Sequence, residues 1–85
     1  HPPLHANMNE KAWFEAFEAA FEDLNQQIDI GKVTIINTYA ASNPAEFFAV
    51  ETEYFFEAPK RLHRAYPKVY QQLVLFYRQN PISVS

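Results

Sequence analysis

A single glycine, Gly31, stands against six prolines in this chain, and that pairing constrains the fold more than any other feature. Hairpins lean on glycine in their tight turns, whereas proline is tolerated at the first helical position, where its missing N–H has no partner to lose. The spacing predicts an all-α protein of three to four helices with proline-delimited boundaries. Asn7, with Glu10 three residues on, predicts a cap for a first helix over about residues 8–28, with Phe14, Phe17, Phe21, Leu24 and Ile28 along one apolar stripe. Glu15, Glu18, Glu22 and Asp23 fall off that stripe, on its solvated side. Gly31 breaks the helix, and residues 29–43 read as an ordered loop holding one β-prone run, Val33 to Ile36, with no partner strand. Asn43-Pro44 opens a second helix that Pro59 ends. A short helical turn through Lys60 to Ala65 follows, then Pro67 opens a helix with Tyr70, Leu73, Phe76 and Tyr77 apolar, and Pro81 closes it.

Eighty-five residues make one domain, 1–85, with a thin core, because a chain this short buries only about 60–65% of its unfolded surface. Yet 48% of the residues are hydrophobic and 16% aromatic, so part of the aromatic surface is expected to face something outside the chain. A net charge of −3 leaves no basic footprint, which argues against nucleic acid as a partner. No apolar run approaches the roughly 20 residues that span a bilayer, and no secretory leader pattern is present, so a membrane partner is not expected either. The absence of cysteine excludes disulfides and thiolate metal sites and fits a cytoplasmic chain.

The run from Asn43 to Glu57 poses the functional question. On a helical wheel Phe47 and Tyr54 fall on one side, Phe48 and Phe55 on the opposite side, and Phe56 with Ala49 on a third, which leaves Glu46, Val50, Glu53 and Glu57 as a narrow acidic strip. Asn43 to Glu46 matches a capping box, as Asn7 to Glu10 does, and pattern alone favours that role for Glu46. Glu51, Glu53 and Glu57 read as solvated or ion-paired, with Lys60 and Arg61 within reach of Glu57.

Other chemistries fail on spacing. His1 and His5 are four apart, but Pro2 and Pro3 prevent the helix that would bring both imidazoles to one face. His63 lies in a basic stretch and reads as a surface residue. Ser42, Ser83 and Ser85 have no histidine or acid at suggestive spacing, and one glycine cannot build a phosphate loop. Glu46 and Glu53 lie about 10 Å apart along a helix, too loose for acid–base work without a substrate groove.

The run TYAASNPAEFFAVETEYFF, Thr38 to Phe56, followed by Tyr66-Pro67 and FYRQNP, Phe76 to Pro81, closely resembles the C-terminal part of the Mlc titration factor A family, and NMNEKAW, Asn7 to Trp13, is similar to that family's upstream segment. These are bacterial zinc-dependent aminopeptidases of the gluzincin type, with an H-E-x-x-H helix and a downstream glutamate as third zinc ligand. The resemblance implies that Glu46 is that third ligand and that Tyr39 is the active-site tyrosine, placed to hydrogen-bond the oxyanion or position the substrate. Glu53 would be a group behind the ligand on the same helix face. If Glu46 points at a metal, Asn43 caps the helix alone.

H-E-x-x-H is nowhere in the sequence. The chain is therefore expected to be the C-terminal segment of a zincin-like peptidase, with zinc and peptide substrate belonging to the parent protein. It is expected to bind zinc weakly and to hydrolyse nothing by itself. The resemblance also implies the glucose repressor Mlc as a partner. Without the H-E-x-x-H helix, Phe47, Tyr54 or Phe48 should be exposed and drive self-association. The alternatives are a non-catalytic helical interaction module that grips a partner through its aromatic faces, and a small helical domain whose acids are all solvated.

Overall fold

Proline marks the start of every helix after the first. A computed structural model describes residues 2–84, so His1 and Ser85, both weighed above for chemistry, lie outside the described residues. Helix α1 runs Glu10–Asp29, α2 Pro44–Glu57, α3 Pro59–Ala65 and α4 Pro67–Tyr77, with 3-10 turns at Thr38–Ala41 and Pro81–Val84. Among the described residues there is no strand, and the Val33–Ile36 run stays in an irregular loop, as expected.

The caps differ from the sequence reading at one end of α1. Asn9, not Asn7, is the N-cap, its side-chain oxygen accepting the Ala12 N–H at 3.1 Å. The Met8 N–H donates to the His5 carbonyl at 2.9 Å, which folds Asn7 into a turn and presents the free helical N–H groups to Asn9 instead. At the other end, the Gly31 N–H bonds the Ile28 carbonyl at 3.0 Å and the Lys32 N–H bonds the Gln27 carbonyl at 2.9 Å. This is a Schellman closure, and it needs the left-handed backbone that Gly31 supplies at φ 72°. Helix α4 stops earlier than Pro81 requires: Arg78 takes the left-handed conformation at φ 55°, and Pro81 begins the last 3-10 turn instead.

The apolar stripe of α1 is rotated from the predicted one. Trp13, Ala16, Ala20 and Leu24 are buried, Phe17, Phe21 and Ile28 flank them, and Phe14 is 53% exposed. Alanines at the centre let α4 approach closely with Val69 and Leu73, while the larger indole of Trp13 takes the inward place that Phe14 would have held. Aromatic rings then link the helices: Trp13 stacks on Phe17 at 4.4 Å and meets Phe76 at 5.5 Å, Phe21 meets Phe47 edge-on at 5.5 Å, and Phe55 contacts Tyr70 at 5.3 Å and Tyr77 at 5.7 Å. The N-terminal arm joins this core, with His5 Nε2 donating to the Phe76 carbonyl at 2.7 Å and its ring stacked on Phe76.

Much of the aromatic excess is therefore absorbed internally. The expectation that Phe47 would be exposed is overturned, since it is 2% exposed at the heart of the core, and Phe48 and Tyr54 are half-buried against it. Among the described residues, the large apolar side chains left outside are Phe14, Ile30, Val33, Ile35, Tyr39, Phe56 and Leu75. The shape explains them. The molecule measures 38 × 30 × 16 Å, and its thin dimension holds fewer than two helix diameters of about 10 Å, so a single core layer cannot cover apolar residues on both outer faces.

Candidate functional site

The two residues singled out by resemblance sit on consecutive elements. Tyr39 lies on the Thr38–Ala41 turn, which is capped by Asn37: its side-chain oxygen accepts the Tyr39 N–H at 2.8 Å. Ala40 of the same turn is fully buried and anchors it against α2, while the Tyr39 ring is 60% exposed. A second clamp comes from Tyr54 on α2, whose hydroxyl accepts the Asn37 N–H at 3.1 Å. The backbone of the turn is thus fixed from both sides and its phenol is left free.

Glu46 occupies the first turn of α2. Its N–H donates to the Asn43 side-chain oxygen at 2.9 Å. The capping box is one-sided: among the described residues the Glu46 carboxylate accepts no hydrogen bond, so it does not return the bond that a reciprocal box would contain. A half-buried carboxylate without a hydrogen-bonding partner among the described residues leaves its oxygens open to an external cation. No hydrogen bond joins it to Tyr39. An apolar cleft of about 510 Å³, lined by Trp13, Phe14, Phe17, Pro44, Ala45 and Phe48, opens beside this first turn. The donor set fits one position of a zinc site and no more, because among the described residues no group of three His, Asp or Glu side chains could hold a metal.

The rest of the acidic strip is solvent-facing, with Glu53 and Glu57 exposed. Among the described residues Glu57 makes no ion pair with Lys60 or Arg61. Glu51 contradicts its reading as solvated. It is fully buried, both carboxylate oxygens lack a hydrogen-bond partner, and burial pushes its pKa up to about 8. Burial also raises the Tyr66 phenol, with further contributions from its hydrogen bond to Asp23 at 3.0 Å and from the charges of Asp23 and Glu51. The wheel contained the signal: at about 100° per residue the Phe47–Tyr54 and Phe48–Phe55 pairs are adjacent ridges rather than opposite sides, and Glu51 lies midway between them. Position 51 is the centre of the buried face, flanked by Phe47 and Phe55 one turn away on either side.

Residues 1–78 match the profile of the glucose-regulated metallo-peptidase M90 family. The chain belongs to this family. Among curated relatives, the M90 chain is 47% identical over 73 residues to the Mlc titration factor A of Edwardsiella ictaluri (strain 93-146), which covers 84% of this chain and 28% of that protein. It is 42% identical over 84 residues to the Mlc titration factor A of Yersinia pestis (strain Pestoides F), covering 96% of this chain and 31% of that protein. The chain thus spans under a third of the length of these relatives. Among the described residues no helix is long and apolar enough to cross a membrane.

Proposed function

We propose that this chain is the C-terminal helical unit of a cytoplasmic zinc aminopeptidase, in which Glu46 supplies the third metal ligand and Tyr39 the phenol beside the scissile bond. The observation that carries the reading is the one-sided cap. Asn43 alone satisfies the helix N-terminus, and a Glu46 carboxylate not engaged by the protein stands one element away from an exposed, backbone-clamped tyrosine. A solvated helical domain has no need of either arrangement.

When bound, zinc supplies Lewis acidity toward a peptide carbonyl and its attacking water. The chain's own part is to hold and orient. Glu46 presents a carboxylate from the first turn, whose backbone is held by the Asn43 cap. Tyr39 donates its phenolic hydrogen to negative charge developing on the carbonyl oxygen, which is worth most when the donor is fixed beforehand, as the Asn37 and Tyr54 bonds fix this turn. The apolar cleft lined by Phe14 and Phe48 supplies a wall for a substrate side chain. With a single ligand, the 85-residue chain binds zinc weakly and hydrolyses nothing alone.

The relatives' name, Mlc titration factor A, supports the repressor Mlc as a protein partner of the parent, and the exposed aromatics Phe14 and Phe56 support self-association of the isolated chain. Two substitutions in the longer protein separate the peptidase from a non-catalytic interaction module. Tyr39→Phe is expected to lower kcat by about a hundredfold with zinc content unchanged. Glu46→Gln is expected to abolish peptidase activity while Mlc still binds. Activity retained in both variants would remove Tyr39 and Glu46 from the chemistry, whereas an original protein that binds Mlc and hydrolyses no peptide would leave the interaction module as the better reading.

A further inference from the structure

The charges of this chain are segregated along its length. All ten acids lie at or before Glu57, accompanied by only Lys11 and Lys32, whereas Lys60, Arg61, Arg64, Lys68 and Arg78 follow with no acid among them. Helix α3 concentrates that asymmetry. Leu62 points into the core with no exposure, and Lys60, Arg61, His63 and Arg64 are all exposed around the rest of the helix. Among the described residues none of Lys60, Arg61 and Arg64 has an ion-pair partner.

Three of these side chains share a hollow. Lys60, His63 and Arg64 line a concavity of about 570 Å³ together with Tyr70, Asn80 and Ser83. Its floor is fixed. The His63 ring meets Tyr70 edge-on at 5.3 Å, and the Tyr70 hydroxyl donates to Asn80 Oδ1 while accepting the Ile82 N–H at 3.2 Å. With Oδ1 committed to Tyr70, the Asn80 side chain turns its NH₂ donors away from that bond. The Ser83 hydroxyl donates to the Asn80 carbonyl at 3.0 Å and pins the last turn beneath the hollow. Two permanent cations and an imidazole therefore surround a cavity with no acidic side chain in its wall, an arrangement that an external carboxylate would neutralise.

We propose that the basic face of α3, centred on Lys60, His63 and Arg64, is a docking surface for an acidic segment of a partner polypeptide. Nucleic acid is the poorer fit. Seven helical residues rise only about 10 Å, enough to meet one or two phosphates, and a polyanion long enough to extend past α3 would be repelled by the exposed acids of α1 and α2. The surface also lies away from the candidate site: most of α2, about 16 Å of helical rise, stands between Glu46 and the start of α3, so a partner held here leaves Tyr39 and Glu46 accessible. The proposal requires neither zinc nor the peptidase reading.

Fluorescence anisotropy of a labelled oligoglutamate peptide titrated with the chain at low salt tests it. Saturable binding is expected, weakened about tenfold or more in the Lys60→Glu/Arg64→Glu double variant. A Lys11→Glu/Lys32→Glu variant with the same net charge should stay within about twofold of the original. Circular dichroism confirms that both variants remain folded. Absence of saturable binding, equal loss in the two double variants, or tighter binding of a short DNA duplex than of the peptide would each overturn the proposal.

Discussion

Glu51 and Glu46 show how the same side chain acquires opposite properties five residues apart on one helix. Glu46 lies half-buried in the first turn, its N–H on the Asn43 cap, whereas Glu51 is fully buried one turn from both Phe47 and Phe55, with neither oxygen hydrogen-bonded, and is held protonated up to about pH 8. Its pKa is higher in the folded chain than in the unfolded one, so the folded state binds the extra proton between pH 4.5 and about 8. Stability contributed this way is complete below pH 4.5, falls as pH rises toward 8, and then levels off, a loss on the order of 5 kcal/mol at most. Urea unfolding across that range should show the decline, and Glu51→Met should flatten it and raise stability at pH 8 by about 2 kcal/mol or more. A pH-independent unfolding midpoint in the original chain would contradict the buried-acid account. Glu51 was legible in principle, because angular position alone places it at the centre of the apolar face. It was missed because acids are so rarely buried that residue type outweighed geometry. Tyr39 and Glu46 came from resemblance, since spacing alone left Glu46 indistinguishable from a cap.

Helix boundaries were the most legible feature because proline enforces them locally, through its fixed φ and missing N–H, whatever the tertiary context. Pro44 and Pro67 begin helices where the sequence places them, and Pro59, read as the end of the second helix, also begins the third. Where competition between neighbouring groups decides, the sequence is silent: Asn7 and Asn9 are both good caps, and only the His5–Met8 turn selects Asn9. The face that α1 buries depended likewise on which of Trp13 and Phe14 packs against α4, a tertiary choice. Two element-scale changes follow from the caps. Asn43→Ala should cost about 1 kcal/mol by leaving the Glu46 N–H without its acceptor. Arg78→Gly should stabilise by about 1 kcal/mol, since it relieves a side chain at φ 55°. Thermal unfolding reads both, and a neutral Arg78→Gly would mean that contacts of the arginine offset its backbone strain.

At the scale of the whole molecule, the slab shape connects a thin core to what lies outside it. Side chains such as Phe14 and Phe56 stay exposed outside that core. Light scattering of the isolated chain should therefore show mass rising with concentration, and a Phe14→Ser/Phe56→Ser variant should remain monomeric. A monomer at high concentration in the original chain would count against this surface. The central claim is that Glu46 is one ligand of a zinc site whose other ligands lie beyond these residues. Calorimetric zinc titration of the longer protein, with and without Glu46→Gln, addresses it most directly. The account predicts tight binding that falls by about a hundredfold or more on losing this ligand. Unchanged affinity in the Glu46→Gln protein, or submicromolar binding by the 85-residue chain alone, would contradict it.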